Sequence, residues 1–207
     1  MNMKRLNLTI AALALTISLA AQVRIDAGMS IGGYNGTTLN YSARTGFTGG
    51  VYYDFKYSSF GDSNSGEYLS AGLQFTQTNY DSNQMEGSTS WLQLPVLTRT
   101  KCGLSENLYL YADAGMFGGY ALNNKTTMTW SYDGRLVETD LSDCVRNFNF
   151  GIIGGVGLGY RSFSILVQWQ RGVLNLMGKT PTIGNTPIFS TNNYCTNSWR
   201  LILSYSF

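Results

Sequence analysis

Charged side chains recur on the polar faces of otherwise apolar stretches, and they are the residues best suited to chemistry. Three carboxylates and four cations share these faces: Asp26, Asp54 and Asp113 with Arg24, Lys56, Arg99 and Arg200. Paired carboxylates could exchange protons or line a path for ions. Because a buried charge left alone is costly, we interpret the seven side chains as ion pairs that brace an interior.

Histidine is absent from the sequence. This removes Ser-His-Asp chemistry and the commonest metal ligand. The glycine-rich stretch GIIGGVGLG at 151–159 departs from the nucleotide-binding fingerprint, because Tyr160 stands where a further glycine is needed. We therefore predict no catalytic residues, no metal ligands and no bound cofactor, and we expect the chain not to be an enzyme.

The elements that carry the charged residues have a two-residue period. In VRIDAGMSIGGY, for example, Val23, Ile25 and Met29 lie on one face, and Arg24 and Asp26 lie on the other. Such alternation predicts β-strands with one apolar face. Eight stretches show it: 23–34, 45–57, 68–78, 90–99, 107–120, 147–160, 163–171 and 198–207. Pro95 falls within the fourth stretch and predicts a local bulge there.

Alternation alone does not separate a membrane barrel from a soluble, lipocalin-like barrel whose apolar face points inward. The polar faces here carry mainly Gly, Ser, Thr, Asn and Gln rather than a Lys- and Glu-rich surface. Small neutral residues suit the packed interior of a narrow barrel. Aromatic residues near the stretch ends, Trp91 and Trp199 among them, are interpreted as interfacial belts.

Long and short connections alternate along the chain. The two longest, 121–146 and 172–197, follow the fifth and seventh stretches, whereas only two residues join the sixth to the seventh. Outer-membrane barrels have short periplasmic turns and long outside loops. We therefore predict an all-β fold, an eight-stranded antiparallel up-and-down transmembrane β-barrel of a Gram-negative outer membrane, with both termini in the periplasm and its lumen filled by side chains.

The first 21 residues differ from the rest. Lys4 and Arg5 precede an apolar run, and SLAAQ at 18–22 offers a cleavage site. We predict a signal peptide over residues 1–21 and a barrel domain over 22–207. The full chain has 14 basic and 12 acidic residues, so removing Lys4 and Arg5 leaves 12 of each and a net charge of zero. Nucleic acid is therefore not an expected partner.

The two longest connections are predicted to make the functional contacts at the cell surface. They are rich in Asn, Thr and Ser, and they offer apolar groups to a partner. These groups are Trp130, Tyr132, Ile188, Phe189 and Tyr194. Cys144 and Cys195 also fall there, and a disulfide between them and three free thiols are both open alternatives.

The sequence resembles known outer-membrane barrels at its C terminus, where Arg200, Tyr205 and Phe207 match the assembly signal, although Ile202 replaces its usual glycine. YLSAGLQFTQ, SWLQLPVLTRTKCGLSENLYLYADAG and FNFGIIGGVGLGY are similar to the PorT-like outer-membrane β-barrel domain family, an OmpX-like fold. The resemblance implies outer-membrane lipid and the assembly machinery as partners. It specifies function poorly, so three roles stay open: surface binding to an envelope or cell-surface protein, a secretion or assembly component, and a narrow solute channel.

Overall fold

The fold is an antiparallel sheet that closes on itself. The computed structural model describes residues 21–35, 42–59, 65–81, 85–132, 135–176, 178, 182–183, 186–187 and 194–207. The strands are β1 Ala21–Asn35, β2 Ser42–Ser58, β3 Gly66–Asp81, β4 Met85–Gly103, β5 Leu108–Tyr132, β6 Arg135–Asp140, β7 Phe148–Tyr160, β8 Phe163–Gly172, β9 Thr182–Ile183, β10 Thr186–Pro187 and β11 Cys195–Ser206. A 3-10 helix spans Ser142–Cys144. The predicted signal peptide lies almost entirely outside the described residues and stays a prediction.

Eight of these strands form the barrel, which confirms the predicted architecture. Each of β1 to β5, β7, β8 and β11 pairs antiparallel with its neighbours, and β11 returns to pair with β1 from Arg24↔Ser206 to Asn35↔Cys195. The amide of Phe207 also donates to the carbonyl of Val23 at 3.0 Å. The ring is therefore closed up to the last residue. Within the described part of the chain, no helix is long and apolar enough to cross a membrane.

Side chains divide between the two faces of the sheet as the alternation predicts. On β11, Leu201 and Leu203 are 50% and 64% exposed, whereas Arg200, which precedes Leu201, is 2% exposed. The same contrast holds on β1, where Ile25 is exposed and Arg24 is buried. Most of the large apolar residues thus face outward, whereas the charged and amide side chains lie in the centre together with a few apolar ones such as Leu97, Phe117 and Ile202.

Two predicted details were wrong. Trp91 was assigned to an interfacial belt, but it is 1% exposed and points into the barrel, because Leu92 and Leu94 fix the outward phase of β4. Pro95 causes no bulge: β3 and β4 keep one register from Ala71↔Val96 to Gln74↔Gln93. Gly72 lies opposite Pro95 in that register. Because proline has no backbone N–H, the hydrogen-bond ladder is interrupted at this pair, but the pairing does not shift.

Most of the predicted loop 121–146 is ordered as strand. β5 continues to Tyr132, and β6 pairs back on it from Thr127↔Asp140 to Tyr132↔Arg135. The alternating apolar signal stops at Leu122 because the outward face leaves the lipid there, while the backbone ladder continues. Loss of hydrophobic period thus marks the membrane boundary rather than the end of the strand.

Replacing an outward leucine with arginine tests the assignment of the faces. Leu201→Arg should lower the free energy of unfolding by about 2–4 kcal/mol, because the charge would enter hydrocarbon. Urea titration of the protein refolded in phosphatidylcholine vesicles measures this. Leu104→Arg is the matched control, since Leu104 is 60% exposed in the β4–β5 turn. Equal effects of the two substitutions would contradict the assignment.

Candidate functional site

A chain of alternating charges occupies the half of the lumen nearest the short turns. The Nη1 atom of Arg24 donates to Asp54 at 3.0 Å, and its Nε donates to Asp26 at 3.0 Å. Arg99 binds Asp113 through two hydrogen bonds of 2.7 and 2.6 Å and reaches Asp54 at 3.5 Å. We call Asp26, Arg24, Asp54, Arg99 and Asp113 the charged chain. Its five side chains are at most 2% exposed.

Aromatic rings and glycines complete the packing around the charged chain. The guanidinium of Arg24 lies 4.3 Å from the ring centroid of Tyr52, and that of Arg99 lies 4.2 Å from that of Tyr111. A Cβ at Gly72 would lie 2.5 Å from the Tyr52 ring. Glycine is therefore required at this point of the wall because the ring occupies the space of a side chain.

Two of the predicted ion-pair candidates lie outside the charged chain. Arg200 has no carboxylate partner among the described residues, and three glutamines on different strands accept its hydrogen bonds. These are Gln74 at 2.8 Å, Gln168 at 3.3 Å and Gln93 at 3.1 Å, which we call the glutamine triad. The prediction of an ion pair for Arg200 is therefore wrong. Lys56 is partly buried, with its ammonium 5.7 Å from the Tyr68 ring centroid.

The glutamine triad is not among the site residues that the sequence predicts. Each of its members lies on the polar face of a strand, a signal that was present in the sequence. What the sequence lacks is the stagger of strands around the barrel, which decides which inward side chains share a level. Amide oxygens can accept hydrogen bonds from a guanidinium without adding charge, so they hold the Arg200 side chain within the lumen.

An apolar cap closes the lumen at the opposite end. It consists of Tyr80, Trp91, Ala121, Leu141, Val145, Leu176 and Tyr194, which are all buried. Leu141 and Val145 flank the 3-10 helix. Backbone hydrogen bonds of 2.7 Å from Arg146 to Leu176 and 2.8 Å from Leu176 to Tyr194 tie the connecting segments together. The cap therefore seals the end from which the long connections extend.

The cap is linked to the β5–β6 hairpin. The backbone amide and the hydroxyl of Ser142 donate to one oxygen of Asp140, at 2.9 and 2.6 Å. These hydrogen bonds favour the ionised carboxyl and hold the pKa of Asp140 below its usual range. The start of the 3-10 helix is thus fixed to the end of β6.

Among the predicted contact residues, Tyr194 needs correction. It is 4% exposed and belongs to the apolar cap, so it is not an exposed group for a partner. Trp130 and Tyr132 lie on β5 in the hairpin, but their side chains are outside the described residues, as are Ile188 and Phe189.

The alternative of a disulfide between Cys144 and Cys195 is wrong for this structure, in which all three cysteines of the chain are free. Cys144 packs against the apolar cap. Cys195 follows the inward Tyr194 and therefore points to the other face of the wall.

The residues of the predicted assembly signal lie on both faces of β11. Arg200 points inward, whereas Tyr205 and Phe207 are exposed on the lipid side. The rings of Phe163 and Phe207 each lie 4.9 Å from that of Tyr205, in edge-to-face arrangement. The role of these residues in assembly stays a prediction.

The comparison with known families agrees with this geometry. The family profile of the outer membrane protein beta-barrel domain matches residues 12–176. The chain belongs to this family. It is therefore an outer-membrane protein, and lipid is its immediate surrounding. No curated protein shows a significant sequence match to the chain.

Solved structures of outer-membrane proteins are similar to the chain at low sequence identity. The outer membrane enzyme PagL is 12% identical, with a TM-score of 0.54, over 87% of this chain and 98% of that chain. The attachment invasion locus protein Ail of Yersinia pestis is 14% identical, with a TM-score of 0.43, over 90% and 97%. OprG from Pseudomonas aeruginosa is 13% identical, with a TM-score of 0.42, over 91% and 96%.

The likeness to PagL overturns the expectation that the chain is not an enzyme. That expectation treated a filled eight-stranded barrel without histidine as excluded from catalysis, yet a barrel of the same fold is an outer membrane enzyme. At 12% identity the likeness shows the fold alone and assigns no activity. Within the described residues, no group of three His, Cys, Asp or Glu side chains could hold a metal ion.

The charged chain and the glutamine triad predict different responses to loss of an arginine. Arg99→Met leaves Asp113 without a cationic partner, while Asp54 keeps Arg24, and should lower the free energy of unfolding by about 3–5 kcal/mol. Arg200→Met leaves only neutral amides without a donor and should lower the free energy of unfolding by less, about 1–3 kcal/mol. Urea unfolding in vesicles compares the two variants, which have the same size change. A larger loss for Arg200→Met would contradict this description of the lumen.

Proposed function

We propose that the protein is a surface-binding outer-membrane barrel whose lumen stays closed and whose β5–β6 hairpin makes the contact outside the cell. The observation that carries the proposal is the unequal height of the wall. β5 has 25 residues, whereas β7 and β8, which follow it around the barrel, have 13 and 10. One side of the barrel therefore extends well beyond the other.

The outward face of this taller side changes from apolar to polar. On β5, Tyr120 and Leu122 are exposed apolar residues, and Asn123 and Lys125 follow. This change marks the outer limit of the hydrocarbon. The ten residues from Asn123 to Tyr132 correspond to about 30 Å of strand beyond that limit.

The hairpin also offers an unpaired strand edge. β6 pairs with β5 and is the last strand in the sheet order, so within the described strands its other edge has no neighbour. Free backbone donors and acceptors at such an edge can pair with an extended segment of another protein. Exposed Glu138 and Asp140 lie on β6, and they would favour a partner segment with positive charge.

The apolar cap and the filled lumen argue against a solute channel. A secretion or assembly role, together with the PorT-like resemblance that suggests it, is supported only by sequence motifs. We do not favour either alternative, because the apolar cap and the charged chain occupy the lumen and the β5–β6 hairpin extends from the end that carries the long connections.

Shortening the hairpin tests the surface-binding role. Thr129 and Glu138 are paired, so replacing 130–137 with Asn-Gly should close a two-residue turn between them. On intact cells, a photo-crosslinking residue in place of Glu138 should form an adduct with a protein outside the cell. Excess wild-type protein in nanodiscs should compete for that adduct, and the shortened variant should not.

The matched control is the same photo-crosslinking residue at Leu104, which lies in a turn at the opposite end of the barrel and should give no externally derived adduct. Equal competition by the shortened variant, or no adduct at Glu138, would refute the proposal. Heat-modifiability on a gel checks that the shortened barrel has folded.

Electrical recording tests the closed lumen. The wild-type protein in planar bilayers should give no conductance steps, because the apolar cap and the charged chain obstruct the axis. An open porin in the same bilayers is the positive control. Reproducible conductance steps that become more frequent as more barrels insert would contradict a closed lumen.

A further inference from the structure

A small polar cavity lies at the end of the barrel opposite the apolar cap. It has a volume of about 200 Å³, and its lining includes Lys101, Tyr68, Tyr109, Arg161, Ser162 and Ser206. The short β7–β8 turn and the end of β11 form its rim, and the inward residues of β3, β4 and β5 form its floor. Because short turns of outer-membrane barrels face the periplasm, the cavity opens to that compartment.

Lys101 is the central group of this cavity. It is 7% exposed, and its ammonium lies 4.4 Å from the ring centroid of Tyr68 and 5.1 Å from that of Tyr109. Aromatic faces attract a cation but do not replace hydrogen-bond acceptors. Within the described residues, Lys101 forms no hydrogen bond or ion pair, so its three donors remain available to a bound group.

The buried carboxylates are committed elsewhere. Asp26, Asp54 and Asp113 each lie within 3.0 Å of a nitrogen of Arg24 or Arg99. The charged chain contains three acids and two arginines, so Lys101 balances its net charge from a distance, but no carboxylate of the described residues contacts the ammonium. An ammonium without an acceptor in contact can donate its hydrogen bonds to the oxygens of a bound anion.

Further donors surround the same space. Arg161 occupies the β7–β8 turn with a φ of 53°, and its guanidinium lies 5.4 Å from the Tyr160 ring centroid. Its Nε donates to Asn107 at 3.4 Å, and the residue also lines the rim of the cavity. The hydroxyls of Ser162 and Ser206 line the rim. Two cations with hydroxyls around one small cavity match the geometry of a phosphate oxyanion.

We propose that this cavity, with Lys101 at its base and Arg161 at its rim, is a binding site for a phosphate group from the periplasmic side. The group is either a soluble phosphate or the headgroup phosphate of a phospholipid in the inner leaflet. The two sources share the same charge and the same acceptor oxygens. This site is separate from the extracellular hairpin and does not depend on the surface-binding role.

The test uses the full protein labelled with ¹⁵N in maltoside micelles, which contain no phosphate. Titration with inorganic phosphate at constant ionic strength should shift the amide signals of Lys101, Arg161 and Ser162 in a saturable way. Lys101→Met keeps the aliphatic stem and removes the charge, so it should weaken binding roughly ten-fold or more. Arg161→Gly, which suits the positive φ of the turn, should weaken it less.

Two controls separate binding from loss of fold. Lys125→Met removes an exposed lysine on the extracellular part of β5. Its phosphate affinity should stay within about two-fold of the wild type, because a distant exposed charge is screened by salt. Lys101→Arg keeps a cation at this position, so it should bind phosphate more tightly than Lys101→Met.

Adding a phospholipid to the micelles distinguishes the sources. Competition with inorganic phosphate identifies the headgroup as the occupant, and unchanged binding identifies a soluble phosphate; either result supports the site. A wild-type protein whose signals do not saturate with phosphate would overturn the proposal. The same applies if a folded Lys101→Met variant binds phosphate as the wild type does.

Discussion

Pairing of the last strand with the first is the constraint on which the rest of the structure depends. In hydrocarbon no water is present to satisfy an open edge, so every backbone donor and acceptor of the wall needs a partner within the sheet. β11 meets this requirement by pairing with β1 over its length, and the amide of Phe207 extends the pairing to the terminal residue. Once the ring is closed, the outward direction of one side chain fixes the direction of all others on its strand.

Closure creates a narrow interior that must be filled with side chains, and most of the buried ones are polar. Eight strands leave little space, and the residues that alternate with lipid-facing leucines and valines must satisfy one another without water in bulk. The charged chain does so with opposite charges, and the glutamine triad does so with amide oxygens around Arg200. The tyrosine rings fit only because glycines such as Gly72 leave room for them. The apolar cap then separates this interior from the outside of the cell.

The strands and their faces could be predicted from the sequence because a two-residue period survives any arrangement of neighbours. The identity of the charged residues in the lumen could also be predicted, since Arg24, Asp54 and Arg99 lie on the polar faces and alternate with apolar residues. Their partners were not, because the stagger between strands brings Arg200 beside Gln93 rather than beside a carboxylate. Residues near loops were the least predictable. Trp91 and Tyr194 looked like surface aromatics by position. Both are in the apolar cap, because Trp91 is on the inward phase of β4 and Tyr194 points inward just before β11 begins. The functional class was hard to predict for a different reason. The absence of histidine was taken to exclude catalysis, but this fold also occurs in an outer membrane enzyme.

Site-directed spin labelling along the closing strand measures the outward and inward phases most directly. Single cysteines would be placed at each position from 199 to 206 in a protein whose three native cysteines are replaced by serine, reconstituted in lipid vesicles. Collision with oxygen, which concentrates in hydrocarbon, should be high at 199, 201, 203 and 205 and low at the positions between them. The opposite phase, or a profile without a two-residue period, would contradict a closed barrel with its apolar face in lipid.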